Sequence, residues 1–257
     1  GVLTPTGERT LGTTPIARTT LPMGSYLCIL KKAGYRDVRY PVHISRGRAW
    51  RGTVRMRTEQ EIPADFVYVP GGPFVYGEGK GATTRDLPDF LIRRTPVTFA
   101  EYGEFLQATE AAEGVDAAAA LIPGTKGDGA FMERREDGTY AVRPEILEGP
   151  HEERYDREFG EGWMERVPVL GVSWHDANAW CAWKTRVTGR AWRLPTEEER
   201  EKAARGVDGR RFPWGDLAHP SLCKNKDSRN EPPQPEPVGA FPTATSVYGM
   251  VDAAGNT

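Results

Sequence analysis

Apolar and polar residues alternate with period two along TLPMGSYLCILKKAGYRDVRYPVHISRGRAWRGTVRM, a stretch rich in Tyr, Val and Ile and cut by Gly24, Gly34, Gly47 and Gly52. Alternation sends successive side chains to opposite faces, so this pattern predicts short antiparallel strands in a small module. The polar stretch TEQEIPAD, containing Pro63, follows as a linker and places a boundary near residue 60. Beyond it, FVYVPGGPFVYG is an apolar run interrupted by Pro70, Gly71 and Gly72, which predicts two strand segments joined by a tight turn as a hairpin.

The period then changes. Three segments open on Ser or Thr with a carboxylate three residues later, a spacing that lets each side chain satisfy the other residue's free N–H at a helix start. In TFAEYGEFLQAT the pair is Thr98 and Glu101, with Tyr102, Phe105 and Leu106 on one face. In SWHDANAWCAWKTRVTG it is Ser173 and Asp176, with Trp180, Trp183 and Val187 on a stripe that ends before Gly189. In TEEEREKAARG it is Thr196 and Glu199, with acids in the first turn, bases in the last and Gly206 as the stop. Between the first two helices, residues from about Glu110 to Arg166 are polar and Gly-rich, with Ala117 to Ala120 as the helix-favouring patch; the expectation is a surface excursion. No period of roughly 20 to 50 residues recurs, which argues against solenoids and propellers.

Composition narrows the class. A chain of 257 residues with 38% hydrophobic and 27% charged residues can bury a core, and 29 Gly with 21 Pro favour loops over a helical bundle. The net charge of -2, with both signs interleaved, offers no basic face for a phosphate backbone, so nucleic acid is excluded as an expected partner. No run reaches the roughly 18 apolar residues of a membrane helix, and GVLTPTGERT has no signal-peptide pattern. Cys28, Cys181 and Cys223 are far apart and form no C-x-x-C pair, so reduced thiols and a cytoplasmic setting are expected.

Two resemblances add to this reading. The string L-P-x-G-x-Y from Leu21 to Tyr26, followed by AGYRDVRYPVHI, resembles PEGA-type β-sandwich modules, which implies a small antiparallel β-sandwich over residues 1–59. From Phe66 onward VPGGPFVYG, TPVTFAEYGEFL, VPVLGVSWHDANAWCAW, RLPTEEEREKAARG with FPWGD, and PVGAFPTATSVYGMVDAAGN resemble, in order, the formylglycine-generating enzyme (sulfatase-modifying factor) family. That resemblance implies an α+β domain of modified C-type-lectin-like fold over residues 60–257. Two departures stand out: Arg200 occupies a position where the family carries Trp, and the sequence stops at GNT. The family's Trp-Glu-Trp stretch, its Arg-Gly-Gly-Ser segment and its reactive cysteine pair lie past that point, so the implied domain is truncated as given; Cys181 and Cys223 do not match the pair.

The resemblance implies structural calcium on oxygen ligands at Asn225, in LCKNKDSRN, and at Asp252 and Asn256, in YGMVDAAGN, because calcium takes six to eight hard oxygens from irregular loops. The residues alone also read as Asx turns, which Asn and Asp form readily in Pro- and Gly-rich loops, and the loop after Asn225 is short, runs through PPQPEP and offers no obvious second carboxylate. His175 and Asp176 adjoin, but Asp176 is already accounted for by capping. No catalytic or cofactor-binding residue is assigned. The function expected is a non-catalytic ligand-binding or sensory domain that presents surface loops to a protein or small molecule. It resembles the C-terminal region of bacterial serine/threonine kinase fusions with an upstream effector, or a binding protein diversified by a retroelement. The alternative is a formylglycine-generating oxidase whose cysteines lie beyond residue 257 and which would require copper, a metal selected by soft sulfur ligands.

Overall fold

The computed structural model describes residues 1–147, 152–229 and 234–256. In chain order its strands and helices are β1 (Gly24–Leu30), β2 (Val38–Ile44), β3 (Phe66–Val69), β4 (Gly72–Tyr76), β5 (Thr83–Leu87), β6 (Phe90–Arg93), α1 (Phe99–Glu113), α2 (Val115–Ala119), β7 (Gly124–Thr125), β8 (Gly129–Ala130), β9 (Met132–Arg134), β10 (Tyr140–Val142), α3 (Pro144–Leu147), α4 (Glu152–Phe159), α5 (Trp174–Thr188) and α6 (Glu197–Arg205). The sheets are all two-stranded and antiparallel. The mixed α/β class expected from the sequence therefore holds. No helix among the described residues is long and apolar enough to cross a membrane.

The chain forms two compact units, one of residues Gly1–Arg94, Glu197–His219 and Thr243–Ala254, the other of Thr95–Thr196, Pro220–Pro242 and Gly255–Thr257. In the first unit β1 pairs with β2 in the register Tyr26↔Val42 and Cys28↔Tyr40. Residues 1–59 contribute this one two-stranded sheet. Alternation in β2 buries Val38, Tyr40 and Val42, and Val38 shares a cluster with Ile62 and with Tyr68 of β3.

The run FVYVPGGPFVYG does not form a hairpin with itself. β3 pairs with β6 and β4 with β5, and the registers Phe66↔Arg93 and Gly72↔Leu87 continue one another, so residues 66–93 are one long hairpin with a break in both arms. Pro70 and Pro88 stand at the break, where neither can donate a ladder N–H. A Cβ on Gly71 would lie 2.9 Å from the Asp89 nitrogen, so only glycine lets the two arms approach there. α6 lies against this hairpin: Lys202 Nζ donates to the Gly72 carbonyl at 2.8 Å, and Ala203 and Ala204 join Val67, Val69, Tyr248 and Met250 in the core.

In the second unit α1 and α5 begin as the spacing predicts. Thr98 Oγ1 accepts the Glu101 N–H while Glu101 accepts the Thr98 N–H, and Ser173 and Asp176 do the same. Tyr102, Phe105 and Leu106 are buried, as are Trp180, Cys181 and Trp183. Val187 is 60% exposed, because α5 outlasts the core it packs on. The segment expected to be a surface excursion is instead core: Phe131, Met132, Tyr140, Val142, Tyr155 and Trp163 are all buried with α1 and α5. Its apolar residues are spaced irregularly among glycines and charges, so they carry no period, yet the β9–β10 hairpin and short helices collect them on one side.

Candidate functional site

Two of the three residues singled out as metal ligands lie in the second unit. Gly255 forms a parallel bridge with Lys224, and a Cβ there would sit 2.0 Å from the Lys224 carbonyl oxygen, while φ is +77°. Glycine is required twice over. This pairing delivers Asn256, itself at φ 64°, to the backbone of Glu236: Asn256 Nδ2 donates to the Glu236 carbonyl at 2.9 Å and its Oδ1 accepts the Glu236 N–H at 3.1 Å. The Glu236 side chain is fully buried and accepts from Lys224 Nζ at 2.8 Å and from Arg229 Nε and Nη2 at 3.0 and 2.7 Å. Burial alone would raise its carboxyl, but the hydrogen bonds from Arg229 and Lys224 outweigh that and hold it below the usual range. Arg229 also donates to Glu158 and lies over the Phe241 ring. Sequence reasoning missed this cluster, since charges 7 and 12 residues apart in a Pro-rich loop make no recognisable pattern.

Asn225 makes an Asx turn: its Oδ1 accepts the Asp227 N–H at 2.9 Å, and its Nδ2 donates to the carbonyls of Pro220 and Cys223. Asp252, buried at φ 49°, belongs to the first unit. Among the described residues no three His, Cys, Asp or Glu side chains converge as metal ligands. The carboxamide oxygens of Asn225 and Asn256 each already accept one backbone N–H, so they fit calcium only through a second lone pair in a shell completed by carbonyl oxygens.

The three thiols are unpaired. Burial pushes the Cys28 and Cys181 thiols up, away from the thiolate form that nucleophiles and metal ligands need. Lys224, the cation adjacent to Cys223 in sequence, has its ammonium on Glu236. His175 packs its ring edge-on against Trp174, and Asp176 serves the cap.

A groove of about 470 Å³ opens between the end of α2, the β7–β8 hairpin and the start of α5. Gly171, at φ +73°, forms part of its wall, where a Cβ would collide with the Phe131 ring at 2.6 Å and with the Gly124 nitrogen at 2.9 Å. Thr125, Lys126, Ser173 and Asp176 supply its polar lining. Trp174, sitting in the chain between Ser173 and Asp176, is 67% exposed, whereas Trp180 and Trp183 on the same helix are buried. The sequence signal for half of this groove was the Gly-rich GTKGDGA, hidden inside the segment read as an excursion.

Residues 51–257 match the model of a family described as the sulfatase-modifying factor enzyme 1-like domain. Inactive C-alpha-formylglycine-generating enzyme 2 of Bos taurus is 31% identical over 214 residues, which cover 75% of this chain and 68% of that protein. Serine/threonine-protein kinase Pkn1 of Chlamydia trachomatis is 25% identical over 204 residues, 77% of this chain and 27% of the kinase. The chain spans less than half the length of several other curated relatives it matches. Among solved structures, PvdO from Pseudomonas aeruginosa superposes with a TM-score of 0.50 at 20% identity over 73% of this chain and 66% of that one, a likeness of fold.

Proposed function

Because the chain belongs to the sulfatase-modifying factor enzyme 1-like family, we propose that it is a non-catalytic ligand-binding or sensory domain, the C-terminal part of a larger signalling protein such as a serine/threonine kinase. In this proposal the fold is a modified C-type-lectin-like scaffold, residues 1–59 are a PEGA-like module, and an effector lies upstream. The observation that carries it is the state of the thiols: two are driven away from thiolate by burial, and the cation beside the third is held by Glu236. Formylglycine formation needs an activated cysteine; Cys28 and Cys181 are held away from thiolate by burial, and the polar neighbour of Cys223 Sγ is the Asn225 amide at 3.6 Å, not a cation. A relative named as inactive and one named as a kinase support the same reading. Ligand recognition through surface loops on a stable scaffold accounts for retention of the fold without the chemistry. A reducing, cytoplasmic setting suits three unpaired thiols.

Structural calcium with Asn225, Asp252 or Asn256 as one of its oxygen ligands belongs to the proposal as well, and calorimetric titration with a calcium salt tests it: absence of binding heat removes it. The principal test incubates the purified chain with a copper salt and a peptide carrying the sulfatase cysteine motif, with mass spectrometry for aldehyde. The expected outcome is unmodified peptide. Aldehyde product that is lost on Cys181→Ser or Cys223→Ser establishes the oxidase reading instead.

A further inference from the structure

We propose that the turn after β2 docks the chain on an anionic phospholipid bilayer, with Arg46, Arg48 and Arg51 on the phosphates and Met23 in the apolar interface. The interleaving of charge signs that holds for the chain as a whole fails over residues 1–59. Those residues hold eleven of the 34 Lys and Arg but three of the 36 Asp and Glu, a balance of +8, which leaves -10 on residues 60–257. From Val38 to Thr58 there is no acid, while Arg39, Arg46, Arg48, Arg51, Arg55 and Arg57 all fall in that stretch. Charge segregated to this degree marks an electrostatic interaction site.

The structure sorts these arginines. Arg39 donates to the Val247 carbonyl, Arg55 pairs with Glu61, and Arg57 with Glu61 and Asp89, so all three are tied into the first unit. Arg46, Arg48 and Arg51 are exposed, and their side chains make no hydrogen bond or ion pair among the described residues. Their place follows from the backbone. The β1–β2 ladder ends with Gly24 opposite Ile44, so Met23 stands level with Ser45 where the sheet stops. The Arg48 N–H closes a turn on the Ser45 carbonyl at 3.2 Å, and residues Arg46 to Ala49 are exposed without interruption. The chain then returns onto β2, where Trp50 Nε1 donates to the Tyr40 hydroxyl at 3.0 Å. A convex tip therefore projects from the end of the sheet, carrying three unpaired guanidiniums beside Met23, which is 69% exposed.

Phosphate is the anion this tip fits. A guanidinium presents a planar fork that meets phosphate oxygens with two bonds and is less hydrated than an ammonium, and no lysine occurs between Val38 and Thr58. A convex tip spreads its forks over separate phosphates instead of enclosing one, and a bilayer surface offers them in that array. Met23 separates the bilayer from a nucleic acid. Phosphates along a nucleic acid would leave its thioether in water, whereas a headgroup layer has acyl chains beneath it that take up apolar side chains. Binding to bare nucleic-acid strands draws on free aromatic faces, and Trp50 of this stretch is half-buried with its N–H committed to Tyr40. The same surface repels the -10 on residues 60–257, which restricts contact to the basic end.

The test sediments the purified chain with vesicles of phosphatidylcholine alone and of equal parts phosphatidylcholine and phosphatidylglycerol. Binding is expected on the anionic vesicles and should fall steeply as salt is raised. Each guanidinium near such a surface strengthens binding about fivefold, so Arg46→Gln, Arg48→Gln and Arg51→Gln together should weaken it on the order of a hundredfold. Met23→Ser should weaken it about threefold. Lys80→Gln, Arg186→Gln and Arg211→Gln together remove the same charge from exposed positions elsewhere and should keep the native affinity within about twofold. All of these side chains are exposed, and an unchanged urea midpoint verifies that the variants are folded. Equal binding to neutral vesicles, no binding at low salt, equal loss in the two triple variants, or native affinity in Met23→Ser overturns the proposal. A labelled DNA duplex is titrated in parallel: DNA binding that the Arg46, Arg48, Arg51 variant loses, with vesicles left unbound, assigns the tip to nucleic acid and overturns the bilayer. Aldehyde formation in the assay above removes the binding-domain reading and leaves the vesicle result standing, so the two failures are distinct.

Discussion

Lys202 sits on α6 with 1% of its surface exposed; among the described residues its ammonium donates to the Gly72 carbonyl and makes no ion pair, so the charge is taken out of water with little compensation. Desolvation lowers its pKa to about 8, against a weaker upward pull from Asp86. Below pH 8 both folded and unfolded chains carry the proton and the burial cost is fully present. Between about 8 and the unfolded value of 10.5 the folded protein releases its proton first, so stability attributable to this residue rises with pH. Urea unfolding of the native chain and Lys202→Met at pH 7 and pH 10.5 should therefore show the difference moving in favour of the native chain, by on the order of 3 kcal/mol. A constant difference would mean that the amine is solvated. The opposite case is Glu236, whose buried charge is matched by Lys224 and Arg229. Lys224→Met leaves that carboxylate half-compensated and should cost about 3 kcal/mol, measured by thermal unfolding, whereas a Lys224→Met, Glu236→Leu pair should cost less. Neither environment was readable in the sequence, because burial of a lysine depends on which strand its helix meets.

At the scale of the elements, what was legible was what is local. The Thr98 and Ser173 capping boxes, the Gly189 and Gly206 stops and the buried faces of α1 and α5 follow from side chains within a few residues of one another, and the structure has them all. Thr98→Ala removes the acceptor for the Glu101 N–H and should lower stability by about 1 kcal/mol; an unchanged urea midpoint would show that water replaces the cap without loss. What was not legible is pairing between distant segments. The Pro70, Gly71 and Gly72 break reads locally as a turn, yet Pro88 breaks the returning arm at the same level, and only the partner's register shows that both belong to one bent hairpin. The same holds for residues 110–166, where Tyr140 hydrogen-bonds Glu110 and Tyr102 donates to the Leu121 carbonyl, contacts that turn an aperiodic segment into the floor of a core. The groove was hidden for that reason: seven of its ten lining residues come from this segment, and the other three, Gly171, Ser173 and Asp176, from the loop before α5 and its first turn.

For the molecule as a whole, the question the sequence leaves open is how independent residues 1–59 are. The linker TEQEIPAD marks a boundary, and Glu59 and Gln60 are exposed in a turn, accessible to a protease that cuts after acidic residues. Just beyond them, however, Ile62 is buried against Val38 of β2 and Tyr68 of β3, with Leu30, Val54 and Met56 around it. Polar ties add to this within the first unit: Ser25 donates to Asp208 at 2.5 Å, and Arg39 Nε donates to the Val247 carbonyl at 2.6 Å. A two-stranded sheet on its own is at best marginally stable in water, so burial of its apolar face against β3 is what holds β1 and β2 in place. Limited digestion with a glutamate-specific protease should cut after Glu59, and the two pieces should nonetheless elute together from gel filtration under native conditions. They should separate in denaturant. Fragments that part without denaturant would establish residues 1–59 as a module that folds and moves by itself, and Val38→Ala should push the nicked protein toward that outcome by removing one side of the shared cluster.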